Sequence, residues 1–532
     1  MKNVKKNRLG LYVLFLLPII LAFVFELLLK KIQIERLYNF LENIFFTFIL
    51  LLPALIIKNN MFKTYFLKIV YTFLIVMLFI ETSYYFIFNT KFSASSIFIA
   101  SETNFNETIE FLLFYFDYKQ LAFLLILMIL LVFSLARIKK ISKGFYSIIG
   151  NFWVITLFVF FLTLLISISY SRRENLPFLI AKSFYDLNKD SYFKNLSTYE
   201  DSFGPFNKTL EIEKGNDKIF VIVIGESISK THFNLYGYNR NTTPLLNNIK
   251  DEILIYNNVI TSHAYTTYAL KKALTLNIED NNGSIIQLLN SVGYQTYWLS
   301  NQNPIGLYES LVSKIASASD KKTFLTTARF IDNTIYDEAL IAELDYALND
   351  IETRKVIFIH LQGAHFKYHN RYPDSFNVFK NMPLTKFKSE NAKDIINSYD
   401  NAVLYNDFVV SSIINKVKEK NIESAVLYFS DHGEEVYDTM DFSGHNDDDV
   451  GSLPMFQIPF ILWQSELYKI NNKIDIELNR AYMTDDLFHS IAILCGVKSN
   501  YVDLEKSIFS DSFKNKRRAI LNNKDYDSLL IK

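Results

Sequence analysis

Five apolar runs crowd the first 170 residues, at about 10 to 30, 39 to 57, 64 to 87, 120 to 136 and 149 to 169. A helix needs roughly 20 such residues to cross a bilayer, and the fourth run is the shortest. A chain that starts this way must close its backbone hydrogen bonds within helices, because lipid offers no partners. Lys2, Lys5, Lys6 and Arg8 precede the first run as they would in a signal peptide. That run is too long for one, lacks a small-residue cleavage site and is followed by further runs, so it reads as a retained helix.

Basic residues in short loops stay on the cytoplasmic side. The start of the chain and the stretch from Arg137 to Lys143 are both basic, whereas Lys30, Lys31 and Arg36 run mildly against the pattern. With five crossings, residues 171–532 lie outside. The sequence thus divides into a transmembrane domain at 1–170, a connector at 171–217 and an external domain at 218–532. The connector carries Pro177 and Pro205, and its stretch from Leu176 to Leu187 is suited either to the membrane surface or to packing on the external domain. The external loop at about 88–119 is a further contributor to a lipid-facing pocket. Formal net charge is zero, which gives no reason to expect nucleic acid as a partner. The sole cysteine, Cys495, excludes an intrachain disulfide, so an exported domain must rely on packing and bound metal. Cys495 itself reads as a buried apolar residue near a helix end.

From Lys218 onward, strand-like runs alternate with helical ones. Phe220–Ile224, Tyr294–Ser300, Lys355–His360, Ala425–Phe429 and Ile458–Trp463 are short and rich in β-branched and aromatic residues. Helical patterns at 283–292, 337–350 and 395–420 separate them. This order predicts a largely parallel sheet with helices on both faces.

Two of the strands stop abruptly at chemistry. The first runs into Glu226 and Ser227, and the fourth into Asp431 and His432. Ligands of open α/β sheets sit at the carboxyl ends of strands, so one crevice receives two carboxylates and an imidazole. That donor set suits zinc, and burying it without a cation is costly. Taken singly, each piece also has an ordinary reading, as a helix-start neighbour or an Asp-His-Gly turn.

Phosphoryl or sulfuryl transfer also needs a nucleophile beside the metal. Between Thr261 and Thr275 a polar loop enters a helix whose inner face carries Ala269, Leu270, Ala273 and Leu274. Thr266 or Thr267 stands at its N-terminus, where backbone N–H groups attract anions; a simple N-cap is the ordinary alternative. Of eight histidines, His365 and His445 fall in polar loops near the metal set, placed to bind phosphate or a second zinc, or to protonate a leaving group. His263 and His369 read as solvent-exposed neighbours, and His489 as a packing residue on a helix. The Gly225–Ser229 stretch lacks the second glycine of a nucleophile elbow, so Ser227 reads as a helix-start residue.

At these residues the chain resembles the bacterial inner-membrane phosphoethanolamine transferases of the alkaline phosphatase and sulfatase superfamily. The resemblance runs in family order over about 218–496 through VIGESISKTHFNLYGYNRNTTP, SHAYTTYALKKALT, GYQTYWLSNQ, HLQGAHFKYHNRYP, YDNAVLYNDF, YFSDHGEE, SGHN and TDDLFHSIAILCG. It implies a bundle of five transmembrane helices joined to a periplasmic sulfatase-like α/β domain. It implies one or two zinc ions, with Glu226, Asp431, His432 and the acceptor threonine as ligands and His365 and His445 near the second metal or substrate site. Counting back from the helix end assigns the acceptor to Thr266, and counting forward from Ser262 assigns it to Thr267. The implied reaction moves phosphoethanolamine from phosphatidylethanolamine to lipid A, a lipooligosaccharide core or another glycan through a phosphothreonine. Phosphoglycerol transfer or phospho- or sulfo-hydrolysis on the same fold is the alternative, with a non-catalytic membrane sensor as the alternative of another class. The absence of external disulfides departs from the lipid A-modifying members, and the GESISK and LSNQ segments look closer to the branch that modifies core sugars.

Overall fold

The structure, a computed structural model, describes residues 2–29, 34–88, 116–142, 151–172, 201–206, 217–278, 281–302, 311–325, 335–446 and 451–530, together with 176, 177, 180 and 199. Most of the connector and the 89–115 loop lie outside the described residues. The chain forms two compact units, one holding the N-terminal helices and the other everything from residue 191 onward with a short stretch at 101–110.

The first unit contains α1 (Lys2–Leu29), α2 (Ile34–Ile56), α3 (Asn60–Phe88), α4 (Tyr118–Ile141) and α5 (Asn151–Arg172). Among the described residues four helices, α1 to α4, are long and apolar enough to cross a membrane. The run expected to be the shortest is a full helix of 24 residues. It starts at Asp117, whose carboxylate accepts from the N–H groups of Lys119 and Gln120 while Gln120 reaches back to the Asp117 N–H. α5 is 22 residues long, and its apolar stretch Trp153–Leu164 lies within it. The buried core between the helices is mainly aliphatic, with Leu14, Ile19, Leu67, Leu74 and Leu127, and aromatic contacts join it: Phe25 stacks on Phe123 at 4.5 Å and Phe15 meets Tyr71 edge-on at 5.0 Å.

Of the contrary loop charges, Lys30 and Lys31 lie outside the described residues, and Arg36 has a structural explanation. Arg36 is buried and paired with Glu26 at 2.5 Å, so it is not a free positive charge for the membrane surface to sort.

The second unit is built on a seven-stranded sheet. In chain order its strands are β1 (Lys218–Gly225), β2 (Ile253–Ile255), β3 (Gln295–Ser300), β4 (Lys321–Phe324), β5 (Arg354–His360), β6 (Glu423–Ser430) and β7 (Phe460–Gln464). Their spatial order is β2-β7-β6-β1-β5-β3-β4. β1 lies parallel between β5 and β6, and its residues from Ile219 to Gly225 are all buried. Covering both faces removes any need for polar alternation, which is why its sequence is a continuous apolar run. The expected parallel order fails at β7, which is antiparallel to both β6 and β2. The sheet is therefore mixed.

Three helices matter for the site: α6 (Thr266–Leu274), α7 (Ala339–Asn349) and α8 (Glu390–Lys418). α8 starts at Ser389, whose hydroxyl accepts from the Ala392 N–H at 3.0 Å. Its inner face buries not only Val403, Val409 and Ile413 but also Tyr399, Asp400 and Asp407.

Candidate active site

The sheet register assembles the site before any side chain is considered. On β1, Ile224 pairs with His360 of β5 and with Phe429 of β6, while Gly225 pairs with Ser430. Glu226 and Asp431 are therefore the next residues out at the same edge of the sheet. The main chain is drawn together there: the Asp431 N–H donates to the Gly225 carbonyl at 3.0 Å, and the Ala364 N–H donates to the Glu226 carbonyl at 2.9 Å. Gly363, at φ +55, lies against Glu226 so closely that an added Cβ would stand 2.5 Å from the Glu226 carbonyl oxygen.

Just beyond β1 the chain turns at Ser227, a non-glycine residue at φ +57. Its N–H donates to Asp431 Oδ1 at 3.1 Å, and its hydroxyl donates to Glu226 Oε1 at 2.9 Å. The Ser227 carbonyl accepts from the Tyr399 hydroxyl at 2.7 Å, and that hydroxyl accepts from the Ser229 N–H at 2.8 Å. A turn that costs backbone energy is thereby held by bonds from β6 and α8.

Glu226, Asp431 and His432 are each about 1% exposed, and their donor atoms lie close enough together to hold a metal ion. His432 Nε2 stands 3.3 Å from Glu226 Oε1 and 3.5 Å from Asp431 Oδ2. Thr266 Oγ1 lies 3.0 Å from Glu226 Oε2 and 3.4 Å from His432 Nε2. A tetrahedral zinc with bonds of about 2.0–2.2 Å separates its ligand atoms by roughly 3.3–3.6 Å, which the three distances from His432 Nε2 match, while Thr266 and Glu226 stand closer, at hydrogen-bond distance. Two further observations agree. Asp431 Oδ2 is buried without a hydrogen-bond partner, an acceptor that a cation would satisfy. His432 Nδ1 donates to the Gly433 carbonyl at 2.8 Å, which leaves Nε2 as the lone-pair donor, as metal-ligating imidazoles require.

The electrostatics show what the set asks for. Burial, then the charge of Glu226, pushes the Asp431 carboxyl well above its usual range. Burial acts the same way on Glu226, but the hydrogen bond and charge of His432 outweigh it and hold that carboxyl low. Two carboxylates so close together cannot both ionise comfortably without a positive charge between them.

Thr266 is the first residue of α6, and Tyr265 occupies the cap position without a side-chain capping bond. Thr266 is thus not an N-cap, and its hydroxyl is turned to the carboxylate and imidazole. Thr267 is next along the helix. Ser262, earlier in the loop, donates to Asp485 at 2.5 Å.

The remaining histidines divide. His445 lies with its ring 4.4 Å from that of His432, and its Nδ1 donates to Glu434 Oε2 at 2.7 Å. His432, Glu434 and His445 form a second group with metal-ligand spacing. His365 belongs to neither group among the described residues, although it senses the charges of Glu226, His445 and His432; burial lowers its imidazole to about 3. Its Nδ1 is buried without a partner. His369 is exposed and His263 half-buried, with the latter 5.3 Å from the Tyr268 ring. His489 is buried and its Nδ1 accepts from the Asp503 N–H at 3.2 Å. Cys495 is buried too.

Sequence reading passed over Glu434, Tyr368 and Tyr399. Tyr368 donates to Glu434 Oε1 at 2.8 Å and meets Tyr399 edge-on at 5.0 Å, so His445 is steadied through Glu434 by the same aromatic pair that holds the Ser227 turn. The signal for Glu434 was present, two residues past His432 in an acidic run. Tyr399 gave none, since a tyrosine on a buried helix face reads as core.

Comparison with known proteins agrees with this geometry. The family described as Sulfatase matches residues 218–497. Phosphoethanolamine transferase EptC of Escherichia coli (strain K12) is 30% identical over 482 residues, spanning 84% of this chain and 83% of that protein. Phosphoethanolamine transferase CptA of Salmonella typhimurium (strain LT2) is 28% identical over 493 residues, spanning 84% of each. Among solved structures, the C-terminal periplasmic domain of Escherichia coli EptC in complex with zinc matches with a TM-score of 0.57 at 32% identity, covering 60% of this chain and 95% of that one. The integral membrane lipooligosaccharide phosphoethanolamine transferase A of Neisseria meningitidis matches with a TM-score of 0.65 at 18% identity, covering 94% and 97%; at that identity it speaks for the fold alone.

Proposed function

The chain belongs to the sulfatase family and, within it, to the phosphoethanolamine transferases, and from that premise we propose that it carries phosphoethanolamine from phosphatidylethanolamine to an envelope glycolipid or glycan, by way of Thr266. The observation that carries this reading is the Thr266 hydroxyl set 3.0 Å from Glu226 and 3.4 Å from His432. Five membrane crossings, with the catalytic domain on the periplasmic face of the inner membrane, complete the proposal. Lipid A or a lipooligosaccharide core is the acceptor.

Glu226, Asp431, His432 and Thr266 would hold the zinc. When bound, the ion supplies positive charge that lowers the pKa of a ligated hydroxyl and neutralises phosphoryl oxygens. The protein side of the reaction follows from the contacts. The Thr266 hydroxyl donates its proton along the bond to Glu226, and Oγ1 forms a bond to phosphorus. The bond from phosphorus to the diacylglycerol oxygen breaks, and that oxygen takes a proton from His445. In the second half an acceptor hydroxyl gives its proton to the same imidazole and displaces Thr266, which recovers its own. Glu434 orients His445 for this exchange, and the N-terminal N–H groups of α6 face the phosphoryl oxygens.

Intact-mass spectrometry of the full-length protein after incubation with phosphatidylethanolamine tests the first half-reaction. The expected result is a phosphoethanolamine adduct present in the wild type and in Thr267→Ala and absent in Thr266→Ala. A phosphoglycerol adduct, or none with free diacylglycerol absent, overturns the proposal.

A further inference from the structure

The first unit contains a polar cluster that the reaction above does not use. Glu26 on α1, Arg36, Asn39 and Asn43 on α2, and Glu81 and Thr82 on α3 are each no more than 5% exposed. The guanidinium of Arg36 is spent on Glu26, with its nitrogens at 2.5 and 3.1 Å from the two carboxylate oxygens and its plane against the Tyr85 ring at 4.7 Å. The Thr82 hydroxyl also donates to Glu26, at 2.9 Å. Glu81 receives only neutral donors: Asn43 at 2.7 Å, Asn39 at 3.3 Å and the Leu176 N–H at 2.9 Å.

Two carboxylates share one guanidinium, which is bonded to Glu26 and acts on Glu81 only through its charge, so among the described residues of the cluster acidic groups outnumber basic ones. In a helix bundle of this kind such an imbalance is expensive and marks a functional group whose partner should be named. These side chains line a half-open cleft between the helices, with Ala22, Phe23, Phe40 and Leu78 as its apolar wall. The space left between them admits about one water-sized group. An ammonium is of that size, whereas a trimethylammonium is not.

Its place along the bundle indicates the source. Glu26 lies near the end of α1 and Arg36 near the start of α2, and Glu81 lies towards the end of α3. Leu176, whose N–H binds Glu81, follows α5 on the way to the second unit. The cluster therefore lies towards the end of the bundle where α1 ends and α2 begins, with Glu81 six residues short of the end of the apolar span of α3. We propose that this cleft binds a primary ammonium group, that of phosphatidylethanolamine, with Glu81 as its counter-charge. The inference rests on phosphatidylethanolamine being the donor, and it adds a headgroup site inside the membrane unit, separate from the zinc ligands.

The test uses full-length protein carrying Thr266→Ala, so that no turnover consumes the lipid. It is placed in lipid discs with equal phosphatidylethanolamine, phosphatidylcholine and phosphatidylglycerol, and the retained lipids are counted by native mass spectrometry. The expected result is retention of phosphatidylethanolamine over phosphatidylcholine by about tenfold, abolished by adding Glu81→Gln. Ala22→Leu, which fills the cleft and leaves every charge in place, should abolish it too and decides the matter if the Glu81 variant does not fold. Equal retention of all three lipids, or a preference that survives Ala22→Leu, overturns the proposal. Free ethanolamine binding with no lipid preference overturns the lipid source. Adduct formation on Thr266 in the wild type is read separately, so the two failures are distinguishable.

Discussion

The Tyr399 hydroxyl grips the Ser227 turn from both sides, donating to the Ser227 carbonyl at 2.7 Å and accepting from the Ser229 N–H at 2.8 Å. Because Ser227 sits at φ +57, directly after Glu226, the grip fixes where that carboxylate points. Tyr399→Phe should cost about 1–3 kcal/mol of stability and weaken zinc binding by roughly 10–100-fold. Competition with a chromogenic chelator measures the second effect. A merely structural tyrosine would lower the melting temperature and leave zinc affinity unchanged.

Removing the Thr266 hydroxyl should abolish turnover, with a loss on the order of a thousandfold or more, while Thr266→Ser should keep a measurable fraction. Glu226→Gln should lose activity and zinc together. Headgroup transfer from radiolabelled phosphatidylethanolamine, with zinc content measured in parallel, separates loss of the nucleophile from loss of the ion.

Gly363→Ala should damage the site without touching a side chain in it. The new Cβ has 2.5 Å to the Glu226 carbonyl oxygen and 2.8 Å to its nitrogen, at a backbone φ of +55, so either Glu226 or the 361–364 turn must move. Zinc affinity should fall at least tenfold. Gly293→Ala serves as the comparison: it has the same kind of φ, at +88, but open space around it, and zinc binding should be unaltered.

His232 supplies a pH dependence independent of the zinc ligands. Burial pulls its imidazole down, but the charges of Asp438 and Asp400 outweigh that and hold it up at about 10; Nδ1 lies 2.6 Å from Asp400 Oδ1. The unfolded value is about 6.5. The stability gained is therefore fully present below about pH 6.5 and is lost as pH rises towards 10, at up to about 1.4 kcal/mol per pH unit. His232→Asn should be destabilised most at pH 6 and should lose less stability than the wild type between pH 7 and 10. Thermal unfolding of both proteins across that range checks it, and parallel curves would refute it.

Stripping the metal with a chelator should lower the melting temperature, because an ion that binds only the folded state adds RT ln(1 + [Zn]/Kd), about 4 kcal/mol at a thousandfold excess over Kd. The same treatment should leave Asp431→Asn nearly unchanged. Differential scanning calorimetry with and without chelator distinguishes the two.

The interior strands were legible in the sequence because a strand covered on both faces needs no polar alternation, and β1, β3, β5 and β6 each appear as an apolar run. The direction of β7 was not legible, since an apolar run carries no arrow. β2, with three residues, was too short to register, as was β4. Glu226, Asp431 and His432 stood out as charge at the end of such runs, and the structure brings them together. The supports did not stand out: Tyr399 lies on a helix face that looks like core, and Glu434 is lost in an acidic run. The Glu26–Arg36 pair was illegible for a different reason. Its members lie at the end of one helix and the start of the next, where charges normally face water.

The order β2-β7-β6-β1-β5-β3-β4 has one more consequence. The metal set hangs from β1 and β6, with β5 closing against it, and these are among the innermost strands, which part last when a sheet opens by local fluctuation. The outer strands can loosen, lengthen or exchange their loops over evolutionary time without disturbing the reacting atoms. A lineage could thus change the acceptor its enzyme takes by rewriting the periphery, while the chemistry stays as durable as the fold itself.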